Sequence, residues 1–140
     1  MSAHRRPHLW GRIAGTIAIL FGILTVREGG AVLLGDDEAV RAAGHYVPFV
    51  LWFNTVAGFA YIGAGFGLWL LRRWAASLSF VIAALSLAVL FALGVHIAVG
   101  GAYELRTLIA MTMRSAVWIA ISAVAYRYIW HPQVMYGIRR

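Results

Sequence analysis

Four long apolar stretches, separated by short polar segments, constrain the fold of this chain more than any other feature of its sequence. They cover residues 9–26, 46–71, 75–100 and 107–128. Each has at least about 18 residues, the length at which an α-helix crosses roughly 30 Å of hydrocarbon. Helices satisfy their own backbone hydrogen bonds in lipid. The pattern therefore predicts an all-α protein, an antiparallel four-helix transmembrane bundle forming a single domain over residues 1–140.

The composition favours a membrane protein and argues against other classes. Only 12% of the residues are charged and 62% are hydrophobic, whereas soluble domains carry about 25% charged residues. The net charge of +7 comes from basic residues that flank the apolar stretches, which is typical of topology signals and of contact with anionic lipid. We therefore expect membrane lipid, and no nucleic acid, as a partner. The chain has no cysteine, which excludes thiolate chemistry.

The distribution of charge predicts how the helices are inserted. Most basic residues lie in the N-terminal stretch, at the Arg72-Arg73 turn or in the C-terminal tail, and all five acids lie in the other two loops. The positive-inside rule then predicts a protein of the inner (cytoplasmic) membrane with both termini in the cytoplasm and the 27–45 loop on the periplasmic side. Within that loop, Asp36 predicts the start of a short helix that ends at Gly44.

Two of the predicted helices carry faces of small residues. The first contains Gly11, Gly15 and Gly22, and the second repeats small or polar residues at helical spacing: Asn54, Gly58, Tyr61 and Gly65. Such faces allow the backbones of neighbouring helices to approach closely. They predict tight packing, and they are also surfaces through which the chain could join a larger membrane complex or a homo-oligomer.

Polar side chains gather near one predicted membrane face. At 1.5 Å per helical residue, Asn54 lies about 12 Å from that face, Arg114 about 10 Å and His96 about 6 Å. Glu104 and Arg106 lie in the loop at the same face. A charge at membrane depth costs roughly 3 kcal/mol and needs a partner, and Glu104 is the acid nearest to Arg114 along the chain. These five residues are the predicted ligand-binding site.

Three interpretations of this cluster are open. It is an internal polar lock, in which Arg114 pairs with Glu104 and His96 bonds a backbone carbonyl. Alternatively, it lines a cavity at the outer face, where Arg114 holds an anionic headgroup, a carboxylate or a quinone oxygen. In the third interpretation, His45 and His96 bind a metal or haem, with Glu104 or Met111 as a further ligand, because imidazole suits copper, zinc and iron. Their spacing is not a metal motif, and Arg114 would repel a cation.

The residues favour a non-enzymatic protein. The helical serines have no adjacent histidine–acid pair, and there is no phosphate loop or dinucleotide fingerprint. The run AGFGLWLLRRWAA, residues 64–76, is similar to part of DoxX-like small bacterial membrane proteins, and we transfer no function from it. We expect a small inner-membrane protein whose polar pocket binds a small ligand, a lipid or a quinone. The alternatives are a structural or accessory subunit of a larger complex, and metal or haem binding.

Overall fold

The computed structural model describes residues 6–130, which contain helices and no β-strand. The helices are α1 (Arg6–Leu33), α2 (Asp37–Ala43), α3 (Pro48–Trp69), α4 (Arg73–Ala98) and α5 (Leu105–Ala125), which continues as a π-helical turn (Tyr126–Trp130). In this part of the chain, α1, α3, α4 and α5 are long and apolar enough to cross a membrane. The predictions of an all-α fold and of four helices that could span a membrane are confirmed. Residues 1–5 and 131–140, on which the predicted positions of the termini depend, lie outside the described residues.

The first helix is longer than its hydropathy predicts. It continues beyond Val26 to Leu33, and its 28 residues make it about 42 Å long at 1.5 Å per residue. Its last turns pack on α3, where Gly29 lies directly against Thr55. The chain turns at Gly35, whose backbone φ is 79°. Glycine adopts this angle freely, whereas most other residues would be strained there. Arg27 and Glu28 therefore belong to α1 rather than to a loop.

The short helix predicted between Asp36 and Gly44 is present as α2. The Asp36 carboxylate accepts a hydrogen bond from the Ala39 N–H at 2.8 Å, the usual side-chain cap of a helix N-terminus. Gly44 ends the helix with a φ of 60°, and it lies against the Glu104 side chain just before α5. The capping bond stabilises α2 itself, and the contact of Gly44 with Glu104 holds the end of α2 against the start of α5.

Helices α1 and α3 pack through opposing glycines. A Cβ added to Gly15 would lie 2.6 Å from the Gly65 carbonyl oxygen, and one added to Gly22 would lie 2.7 Å from the Gly58 carbonyl oxygen. Atoms this close leave no room for a side chain, so the two backbones are in direct contact, as in other small-residue helix pairs in membranes. The two small-residue faces that the sequence predicts meet each other inside this chain.

The outer surface of the bundle is strongly apolar. Tyr61, Leu68 and Trp118 are fully buried, whereas large side chains such as Phe59 and Phe91 are 62% and 74% exposed. A water-soluble monomer rarely exposes so continuous an apolar surface. The side chains that point outward are those expected of helices whose outer faces contact lipid.

Candidate ligand-binding site

A cavity of about 630 Å³ lies at one end of the bundle. Its walls are the C-terminal half of α1 and the first turns of α3 and α5, and α2 covers it. Most of the lining is aliphatic. The polar lining residues are Thr25, Arg27, Glu28, Tyr46, Asn54, Arg106, Thr107 and Arg114. The volume falls within the range of roughly 300–1,000 Å³ that is common for small-molecule sites.

Arg114 lies at the floor of this cavity and is only 7% exposed. Its Nη2 donates to the Thr25 hydroxyl at 3.2 Å, and its Nη1 lies 3.8 Å from the Met111 sulfur. The guanidinium carbon lies 5.4 Å from the ring centre of Phe21 and 5.9 Å from that of Tyr61. Its Nε is buried and has no hydrogen-bond partner among the described residues. The charge is therefore held by neutral groups and retains a free donor.

Asn54 and Thr25 complete the polar part of the floor. Asn54 lines the cavity from α3, and its side-chain oxygen is buried without a hydrogen-bond partner in the described chain. Thr25 is 5% exposed and meets Arg114 from α1. Thr25 is not among the site residues predicted from the sequence, although a threonine near the end of an apolar stretch is a common hydrogen-bonding residue between membrane helices.

The expected pairing of Arg114 with Glu104 is not formed. The Glu104 carboxylate accepts a hydrogen bond from the backbone N–H of His45 at 2.9 Å, and so joins the start of α5 to the loop before α3. Glu104 lies ten residues before Arg114, a rise of about 15 Å along a helix. Proximity along the chain therefore suggested a contact that the helix geometry prevents.

Arg106 lines the cavity near its cover. Its Nη2 donates to the Ala42 carbonyl oxygen at 2.7 Å, and its side chain is exposed. A cation at the last carbonyls of a helix is favourable, so this bond fastens α2 over the cavity. The structure thus brings together Asn54, Arg106 and Arg114 of the five predicted site residues.

His96 does not line the cavity. Its Nε2 lies 3.0 Å from the Ala102 carbonyl oxygen, its ring meets Phe49 edge-on at 6.1 Å, and Gly101 lies against it. These contacts fix the turn between α4 and α5. His45 is exposed, and residues 6–130 hold no group of three or more histidine or acidic side chains arranged to bind a metal. Metal or haem binding through His45 and His96 stays a prediction without a third ligand.

The comparisons with known proteins assign no family to this chain. No family model, curated protein or solved structure matches this chain. The similarity of residues 64–76 to DoxX-like proteins is therefore not accompanied by a family match. What the protein does must be argued from the residues around the cavity.

A second layer of polar side chains lies deeper in the bundle, next to Arg114. The Tyr61 ring lies 4.7 Å from that of Trp118 and 6.1 Å from that of Phe21. Trp118 Nε1 and Ser122 Oγ in this layer are buried and have no hydrogen-bond partner within residues 6–130, and Tyr61 Oη is buried beside Ser86 Oγ. The sequence predicts that each residue lies in a helix, but it does not predict that residues from α3, α4 and α5 converge.

The polar groups of the cavity include one charged hydrogen-bond donor at the floor. A guanidinium, an amide and a hydroxyl lie together at the end of a mainly aliphatic chamber. Since charge-assisted hydrogen bonds are about twice as strong as neutral ones, Arg114 dominates this set. The arrangement suits an oxygen that is anionic or carries partial negative charge.

Proposed function

We propose that this chain is a small protein of the inner membrane that binds a small ligand, a lipid or a quinone in the cavity above Arg114. The observation that carries the proposal is the state of Arg114, a charged side chain that is 7% exposed, contacts only neutral groups and presents an unpartnered Nε. A ligand with a negative oxygen supplies the missing partner.

The cost of burying the charge supports binding over a purely structural role. A charge at membrane depth costs roughly 3 kcal/mol even on permissive scales, and a buried charge is stable when it is paired and hydrogen-bonded. The predicted polar lock would pair Arg114 with Glu104, but the carboxylate of Glu104 is bound at His45. Glu28 lines the same cavity and acts on the Arg114 charge through space. The hydroxyl, the sulfur and the two rings around Arg114 compensate the charge only in part.

The two small-residue faces that the accessory-subunit alternative would use are already paired within the chain. The glycines that would contact a partner helix already contact each other, Gly15 with Gly65 and Gly22 with Gly58. A larger complex or a homo-oligomer would have to use the outer apolar surface instead. We therefore rank this alternative below ligand binding.

We further propose that the helices alternate in direction, with both termini in the cytoplasm and the cavity near the outer face. The chain has no cysteine, so single-cysteine variants carry no background. Leu34 is 89% exposed in the turn before α2. In intact cells, Leu34→Cys should react with a membrane-impermeant maleimide, whereas Ser2→Cys should react only after lysis. The reverse pattern would contradict this orientation.

Native mass spectrometry of the gently solubilised protein tests the proposed site. We expect the wild-type protein to retain a bound molecule and Arg114→Leu to lose it. Arg12→Leu is the matched control, because Arg12 lies away from the cavity, with its guanidinium 5.5 Å from the Trp69 ring centre. An empty wild-type protein, or a molecule equally retained by Arg114→Leu, would refute the proposal. A stoichiometric metal or a Soret band that His96→Ala removes would instead support the metal or haem alternative.

A further inference from the structure

Two of the cavity walls are closed by close packing. Between α1 and α3, the backbones touch at Gly22 and Gly58, so nothing can pass between these helices. On the opposite side, α4 packs against both α3 and α5, and Val50, Leu93 and Met111 of these three helices are fully buried in one apolar cluster. A ligand therefore has no route through either wall.

The contact between α1 and α5 is sparser than that between the other neighbouring long helices. These helices are joined at the cavity floor by the hydrogen bond from Arg114 to Thr25. Beside this bond, Leu24 and Ala110 both line the cavity and reach the outer surface, Leu24 with 53% exposure. Both side chains are apolar and lie in stretches apolar enough to span a membrane. The opening therefore faces lipid chains rather than water.

Arg114 determines the charge of the group that fits at the floor. It offers one positive charge and a free Nε–H, so a single negative charge neutralises it. Glu28 lines the same cavity, and its charge acts on Arg114. Each further negative charge on a ligand would be repelled by this carboxylate. Arg27 and Arg106 also line the cavity, but Arg27 is exposed and Arg106 donates to the Ala42 carbonyl near the cover, so Arg114 is the cation at the floor. A carboxylate carries one charge, and its planar pair of oxygens matches the donor geometry of a guanidinium.

We propose that the cavity takes a long-chain monocarboxylate, which enters from the bilayer between α1 and α5, places its carboxylate on Arg114 and lays its chain along Leu24 and Ala110. The inference rests on the proposed function, because it requires that Arg114 binds a ligand here. The volume of about 630 Å³ is that of a site for one drug-sized molecule. A cavity of this volume suits a carboxylate head group and part of one chain better than a two-chain phospholipid.

Three probes separate the contributions of charge and chain. Palmitate has both, hexadecan-1-ol lacks the charge, and butyrate lacks the long chain. In native mass spectrometry of the protein in detergent micelles, we expect one palmitate to bind per chain. The alcohol and butyrate should each bind at least about tenfold more weakly. Arg114→Gln should weaken palmitate binding at least about 30-fold, as expected when one partner of a buried charge pair is removed.

A variant at the opening tests the route and the position of the chain. Ala110→Phe adds a ring at the opening, one turn before Arg114 along α5, and we expect palmitate affinity to fall at least about tenfold. Ala120→Phe is the matched control, because Ala120 is exposed on the same helix and does not line the cavity. Thermal unfolding of both variants should match the wild-type protein, so that a loss of binding is not a loss of fold.

The possible outcomes distinguish this inference from the proposed function. Equal binding of palmitate and butyrate, equal binding of palmitate and hexadecan-1-ol, or unchanged palmitate affinity in Ala110→Phe would overturn the inference. A co-purified molecule of another class that depends on Arg114 and that palmitate cannot displace would also overturn it, while leaving the proposed function in place. Absence of any ligand that depends on Arg114 would overturn both.

Discussion

A Gly22→Leu variant is expected to lose the native bundle. A Cβ at this position would lie 2.7 Å from the Gly58 carbonyl oxygen and 2.7 Å from the Ile62 side chain. The carbonyl oxygen is part of the α3 backbone, so it cannot rotate away as a side chain could, and the two helices would have to separate. Overpacking a well-packed core costs typically 1–3 kcal/mol, and we expect a loss of at least about 3 kcal/mol here. The midpoint of unfolding in detergent would measure it.

Gly94→Leu is the matched control for this substitution. Gly94 also lies within a long apolar helix, near the C-terminal end of α4, and no atom lies within 4 Å of a Cβ built there. The added side chain would extend into lipid, and leucine has a better helix propensity than glycine by several tenths of a kcal/mol. Gly94→Leu should therefore unfold at or slightly above the wild-type midpoint. Equal losses in the two variants would show that the α1–α3 contact is not what makes Gly22 necessary.

The sequence predicts the helices well because membrane helices are recognised by length and hydropathy alone. It also predicts the glycine faces of α1 and α3, since residues at helical spacing share a face. It misjudges the end of α1, because Arg27 and Glu28 resemble a loop and the stabilising contact of Gly29 with Thr55 is tertiary. Local pattern cannot reveal such a contact.

The candidate site is only partly predictable for a related reason. Counting residues from the end of a helix gives the depth of Arg114, Asn54 and His96, and all three are near the same end of the bundle. It does not give the direction in which each side chain points. The structure turns Asn54 and Arg114 into the cavity, whereas His96 bonds the Ala102 carbonyl in its own turn. The partner of Arg114 on α1, Thr25, follows from the packing of the helices and from no pattern in the sequence.

An Arg114→Leu variant should be more stable than the wild-type protein when both are free of ligand. The wild-type guanidinium is buried among neutral groups, so its removal relieves a desolvation cost and loses one hydrogen bond to Thr25. Replacing even a buried ion pair by apolar residues of similar volume often stabilises a protein by about 1–4 kcal/mol, and for this single buried charge we expect a gain of about 1–3 kcal/mol. The midpoints of unfolding of delipidated samples in detergent would measure it.

The effect of added ligand on the unfolding midpoint distinguishes a binding role of Arg114 from a structural one. A ligand that binds only the folded state raises stability by RT ln(1 + [L]/Kd), about 2.7 kcal/mol at a hundredfold excess over Kd. Added ligand should therefore raise the midpoint of the wild-type protein and leave that of Arg114→Leu unchanged. A structural lock requires the opposite order without ligand, because removal of Arg114 would then lower the midpoint. A stabilised variant that no longer responds to ligand would mean that the arginine is kept in the membrane for binding, at a cost to the stability of the empty protein.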